Sequence, residues 1–247
     1  MKYQVISLLL ASALTTMASS AMAQEHGMDA QPGLAVSARL STLGFGAELD
    51  YPLNAYWNLR LQANSFNYND SFDESDIEYE GDLELSTQGL LVDFRPFAGT
   101  FKLTAGFFAN SNQLVASAVS ASDKSFEIGG SRYTGAASNP LRLAAEVELG
   151  KSSAGYLGLG WGHSYQSGLS FSLELGALLS GKATANITAS GTAYRTGLPQ
   201  VQFDVQGNSV AAKLFQQQLA AEQTELQDDL DGFELYPVLA LSVGYRF

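Results

Sequence analysis

From residue 233 to its last residue the chain alternates without a break. Phe233, Leu235, Pro237, Leu239, Leu241, Val243, Tyr245 and Phe247 occupy every second position. Between them stand Glu234, Tyr236, Val238, Ala240, Ser242, Gly244 and Arg246, mostly small or polar. A period of two sends neighbouring side chains to opposite faces, so one face meets something apolar and the other does not. Globular strands cluster near five or six residues. A tilted strand crossing a bilayer needs roughly 9–11 and carries its aromatics at the interfaces. The segment reads as the closing strand of an outer-membrane β-barrel.

The same alternation recurs upstream. Over 33–41 the apolar face is Leu34, Val36, Ala38 and Leu40. A tight corner at Gly44-Phe45-Gly46 leads to a second strand with Phe45, Ala47, Leu49 and Tyr51 outward. The third strand puts Trp57, Leu59, Leu61 and Ala63 outward, and the fifth Phe101, Leu103, Ala105, Phe107 and Ala109. A sixth over 156–162 shows Leu157, Leu159 and Trp161; a seventh shows Leu169, Phe171, Leu173, Leu175, Ala177 and Leu179. The fourth strand, running to Arg95, changes phase. Leu83 and Leu85 share one parity, while Leu90, Val92 and Phe94 share the other. Either a bulge lies near Gly89 or the first part stands clear of the lipid, and the second reading is favoured.

Connections alternate in length. Those at 52–56, 96–100 and 163–168 are short, and Pro52 and Pro96 suit turns because proline cannot continue a central ladder. On the other side one corner is tight and three connections are long. They are an acidic loop at 69–82, a polar stretch at 111–153 with a hairpin signal at Gly129-Gly130, and an excursion at 187–232. Within 111–153 the end near 141–149 alternates as a strand above the membrane would. The last excursion holds a helical signature over 208–231. Asn208 or Ser209 caps it, Val210, Leu214, Leu219, Leu226 and Leu230 recur at helical spacing, and Gly232 ends it. Short turns belong to the periplasm and long loops to the outside. The predicted class is all-β: an eight-stranded antiparallel transmembrane β-barrel with long extracellular loops and one short helix in the last of them.

The N-terminus supplies the address. Lys2, an apolar run to about Met17 and Ala21-Met22-Ala23 form a secretory signal peptide cleaved after Ala23, leaving 24–247 as the barrel. Export without cysteine excludes a disulfide framework, a thiolate metal site and a thiol nucleophile. A net charge of −12 excludes the basic footprint that nucleic acid requires. No stretch after residue 23 is long and apolar enough for a transmembrane helix, yet there are 24 glycines, 11 tyrosines and 14 phenylalanines. A closed barrel is the other way to satisfy every backbone group in lipid.

The inward-facing charges are Arg39, Glu48, Asp50, Arg60, Asp93, Arg95, Lys102, Glu174 and Arg246. Eight strands leave an interior that side chains just fill, so these charges must pair or lose several kcal/mol each to desolvation. Glu48 and Glu174, near mid-strand, are the expected partners of Arg39 and Arg60. The outer acids Asp70, Asp73, Glu74, Asp76, Glu78, Glu80 and Asp82 form a negative mouth that concentrates cations. They lack the spacing of a calcium loop. No metal, cofactor or catalytic set is expected. The histidines, His26 and His163, assemble with no nucleophile and orienting acid.

Four runs carry a family resemblance: Ala47-Glu-Leu-Asp-Tyr-Pro-Leu-Asn54, Gly89-Leu-Leu-Val-Asp-Phe-Arg-Pro-Phe97, Gly155-Tyr-Leu-Gly-Leu-Gly-Trp-Gly162 and Tyr245-Arg-Phe247. They resemble small proteobacterial outer-membrane barrels of the CarO type, named for uptake of ornithine and other basic amino acids, and more loosely OmpA-like transmembrane domains. The resemblance implies an eight-stranded barrel and permeation of small cationic solutes; it assigns no site residue. The terminal Tyr245 and Phe247 resemble the signal read by the barrel-assembly machinery. The expected role is a narrow or gated channel for small, preferentially cationic solutes. The competing role is a non-conducting structural or surface-interaction barrel. Expected partners are outer-membrane lipid and lipopolysaccharide, the assembly machinery and small cationic solutes, with no nucleic acid.

Overall fold

The computed structural model describes residues 33–74, 77–120, 124–162, 168–232 and 234–247. Its strands in chain order are β1 (Ala35–Ser41), β2 (Gly44–Pro52), β3 (Trp57–Glu74), β4 (Ile77–Phe94), β5 (Phe101–Asn110), β6 (Gln113–Ser120), β7 (Ser125–Ile128), β8 (Ser131–Gly135), β9 (Leu141–Glu148), β10 (Ser153–Gly162), β11 (Gly168–Leu179), β12 (Thr184–Ser190), β13 (Thr192–Arg195), β14 (Phe203–Asp204) and β15 (Tyr236–Arg246). One helix, α1 (Val210–Leu230), precedes β15. Eight strands, β1 to β5 with β10, β11 and β15, close an antiparallel barrel. Closure is made by β15, which pairs β1 from Ala35–Arg246 to Ser41–Ala240 and β11 from Gly168–Arg246 to Leu178–Tyr236.

The alternation does what lipid demands. Outward residues such as Leu40, Leu49, Leu61, Phe107, Phe171 and Leu241 stand exposed on the wall, while inward Arg39, Glu48, Arg60 and Glu174 are buried. At the end holding the short turns, Trp57 packs on Phe94 at 4.6 Å, Phe101 on Trp161 at 5.3 Å and Tyr245 on Phe247 at 5.2 Å between ring centroids. These rings form an aromatic girdle at one interface.

Several boundaries differ from the sequence reading. The first corner is Thr42-Leu43, because Ser41 already faces Gly44 across the hairpin. Gly44 takes φ +102°, which L side chains rarely adopt, and Gly46 lies inside β2. The acidic segment at 69–82 is not a loop: β3 and β4 continue as one ladder to Glu74–Ile77. Eighteen residues make each strand roughly 60 Å long, far more than a bilayer requires. The segment 111–153 is likewise built, as β6 to β9. The final strand begins at Tyr236, so Glu234 is exposed ahead of it rather than inward; Phe233 lies outside the described residues. The same is true of the signal segment 1–23 and of both histidines.

The phase change in β4 has no bulge behind it. Its register with β3 is unbroken from Trp57–Phe94 to Glu74–Ile77. What changes is the neighbour. From Thr87 to Phe94, β4 pairs β5 in the barrel, and Leu90 and Val92 face lipid on the outside. From Tyr79 to Glu84 it pairs β6, which continues through β9 to β12 as an outer sheet. Here the inner face is covered. Tyr79, Ala118, Leu141 and Leu143 pack with Phe126, Tyr133 and Phe203 of the small sheet β14-β13-β8-β7 and with Phe215 of α1. The apolar parity follows whichever side excludes water.

Helix α1 closes this layer. Ser209 Oγ accepts from Ala212 N as the N-cap. At the far end Asp231 stands beside the helix's free carbonyls, and the hydrogen bond donated by Lys182 at 2.6 Å holds its carboxyl below the usual range. Between them glutamines cover the free edge of β12. Gln227 accepts from Ala185 N and donates to Ala183 O; Gln223 accepts from Ile187 N and donates to Ala185 O. Side-chain amides thus stand in for a missing strand, one way to blunt an exposed edge. In Gln223→Ala/Gln227→Ala the amides of Ala185 and Ile187 should exchange hydrogen roughly two- to tenfold faster, since each bond is worth about 0.5–1.5 kcal/mol. Unchanged rates would mean that another group holds this edge.

Candidate functional site

The barrel wall aims alternate side chains of every strand into a space only side chains can fill. Six of the nine inward charges meet at its centre. Arg39 on β1 donates to Glu48 on β2 and, at 3.1 Å, to Glu174 on β11. Arg60 on β3 reaches Glu48 at 3.2 Å, Asp93 on β4 at 3.1 Å and Glu174 at 2.8 Å. Lys102 on β5 reaches Asp93 at 3.3 Å and Glu174 at 3.1 Å. All six side chains are at most 1% exposed. Three cations face three carboxylates, so this contacting set carries no net charge.

The other three inward charges behave differently. Arg95 donates to the carbonyls of Gly99, Thr100 and Gly162, tying the short turn after β4 to the end of β10. Arg246 donates to Gly33 O at 2.6 Å, where the chain enters β1. Both are carbonyl ligands at the rim rather than members of the central set. Asp50 lies directly opposite Arg60 in the β2–β3 ladder and is 1% exposed, yet neither carboxylate oxygen accepts a hydrogen bond from a described residue.

Two neutral members escaped the sequence reading. Tyr156 Oη donates to Glu174 at 2.7 Å and Thr104 Oγ1 donates to Asp93 at 2.7 Å. Tyr156 had a visible signal: it is the one large side chain on the inward face of a strand whose other inward positions are Ala154, Gly158, Gly160 and Gly162. Those glycines make room. A Cβ at Gly158 would stand 2.8 Å from Tyr156 Oη, and one at Gly176 only 2.2 Å.

On the outer side of the ion-pair set lies an apolar layer. Leu43 from the first corner, Leu91, Phe108, Ala154, Tyr156, Leu178 and Val238 form one buried cluster. Phe108 and Tyr156 meet edge to face at 5.5 Å. The lumen is therefore filled twice, by charge and by hydrocarbon.

The seven outer acids stand on the β3–β4 hairpin, with Asp76 outside the described residues. Asp70, Glu80 and Asp82 are exposed. Glu84, Glu146 and Glu148 extend the outward face of Glu80 and Asp82 across β4 and β9, with Gln113 of β6 between Glu84 and Glu148, whereas Asp70 has the other parity.

Comparison with solved structures places this architecture. Acinetobacter baumannii CarO matches with a TM-score of 0.53 at 21% identity, over 87% of this chain and 98% of CarO. The chain has the CarO fold. A second A. baumannii structure, CarO2, matches with a TM-score of 0.54 at 20% identity and the same coverage. Identity this low speaks for the fold alone, an eight-stranded antiparallel barrel. No family model matches the sequence, and no curated protein matches it.

Proposed function

We propose that this protein is an outer-membrane barrel closed to solutes at rest, which acts through its extracellular layer as a contact surface. The observation carrying this reading is the centre of the lumen, where six charged side chains at most 1% exposed satisfy one another beneath a buried apolar layer. A conducting path would need water between them. The outer layer, by contrast, is a built structure with its own aromatic core and an acidic outward face, more than a sealed stave of the envelope requires.

A second reading, a gated channel for small, preferentially cationic solutes, is favoured by one feature. Glu174 is shared by Arg39, Arg60, Lys102 and Tyr156, so any one contact can part while others remain. The acidic outer face would raise the local concentration of cations. Purified protein in planar bilayers separates the two. The closed reading expects no steady conductance from the wild type. Stable cation-selective openings that shift with Glu48→Gln or Glu174→Gln would replace it with the channel.

In either case Tyr245 and Phe247 are read as the insertion signal for the barrel-assembly machinery. Deleting Phe247 should abolish most of the faster-migrating, unboiled form on a denaturing gel of outer membranes. Normal yield of that form would remove the assignment.

A further inference from the structure

The outer sheet has two edges, and they are treated differently. One is β12, whose backbone groups are occupied by the amides of Gln223 and Gln227. The other is the part of β3 that continues beyond the barrel. Strand β2 accompanies β3 as far as Ser65, and from Phe66 to Glu74 its ladder partner among the described residues is β4 alone. Five consecutive residues here, Asn67 to Ser71, are exposed, so both faces of the strand are open as well as its edge. An edge of this kind presents N–H and C=O groups sideways at ladder spacing, a ready template for another strand. Nine residues offer roughly 30 Å of it.

Charge decides what fits. The edge carries Asp70, Asp73 and Glu74 and no basic residue, and Glu80 and Asp82 stand opposite Ser71 and Asn69 on β4. Two copies of this edge laid together would bring carboxylates against carboxylates, which is destabilising for cross-strand neighbours. The same acids favour a strand with lysine or arginine at alternate positions. The edge is thus guarded against itself and open to the opposite sign.

We propose that the edge of β3 above the barrel is a β-augmentation site for an extended, basic segment of a partner polypeptide. The proposal gives the contact-surface reading its chemistry, but makes no use of the lumen, so bilayer conductance and peptide binding can fail separately. The test uses the full-length protein in lipid nanodiscs and a labelled eight-residue peptide alternating lysine and valine. Comparators are the same peptide N-methylated at every second residue, in either phase, and its glutamate–valine counterpart. The lysine–valine peptide should bind and protect the amides of 66–74 from hydrogen exchange. One of the two N-methylated forms should lose at least tenfold in affinity, the glutamate form should not bind, and Asp70→Asn/Glu74→Gln, two positions of the same parity on the edge, should weaken binding roughly tenfold, a factor that two cross-strand charge pairs can supply. No binding of the lysine–valine peptide overturns the proposal. So does equal binding of both N-methylated forms and the parent, which would reduce the edge to a patch of diffuse negative charge.

Discussion

Replacing Arg60 with leucine should destabilise the barrel by about 3–5 kcal/mol, the usual cost of removing one partner from a buried ion network. Arg60 is fully buried and touches Glu48, Asp93 and Glu174. Leucine would fill part of the space but leave three buried carboxylates to Arg39 and Lys102. Arg60→Lys should cost less, because it keeps the charge and loses only the fork that lets one side chain serve three acids. Urea unfolding in detergent micelles, followed by the fluorescence of Trp57 and Trp161 in the wall, measures both. A loss below about 1 kcal/mol for Arg60→Leu would mean water or another cation reaches the centre, and with it the closed-lumen reading would go.

Phe215→Ala should cost the outer layer a comparable amount, about 3–5 kcal/mol for a fully buried phenylalanine, and leave the barrel intact. Phe215 is 0% exposed and packs edge to face on Tyr133 at 5.0 Å and on Phe203 at 6.1 Å. Its cluster joins α1 to both outer sheets, whereas the luminal clusters share none of its members. Limited proteolysis should therefore cut the variant within 196–232 while its unboiled form still migrates as a folded barrel. Joint loss of both signals would show that the layer and the barrel fold as one unit.

The barrel was legible because lipid imposes a strict rule on sequence. Every spanning strand must alternate, and the stripe from Leu235 to Phe247 repeats on seven other strands. Inward positions could be named for the same reason: parity alone sends Arg39, Glu48, Arg60, Asp93, Lys102 and Glu174 to the lumen, where the structure has all six in contact. Parity could not separate these from Arg95, Arg246 and Asp50. For the two arginines that division depends on height along the barrel axis, hence on the stagger between strands, which only the register reveals; Asp50 stands level with Arg60 and differs in its side-chain contacts. Arg246 faces Ala35 and Gly168 at the rim; Glu174 faces Ala240 and Gly160 at mid-wall.

Above the barrel the rule disappears, and the period-of-two signal goes with it. Polar segments such as 111–120 and 69–82 carry no lipid-facing stripe, and their strands form because a neighbour is present. The glutamines of α1 show the same dependence: on a helical wheel they are solvent positions, and only the edge of β12 turns them into ladder partners.

The alternation recurring from strand to strand along the chain determined the class, the number of staves and which side chains enter the lumen, because hydrocarbon on one face leaves one solution for the backbone. Tertiary structure decided that the central charges neutralise one another, that Leu43, Phe108 and Leu178 cap them, and that β3 leaves the barrel with one edge uncovered. Those outcomes depend on which strands meet and at what stagger, a property of residues far apart in the chain that no local period encodes.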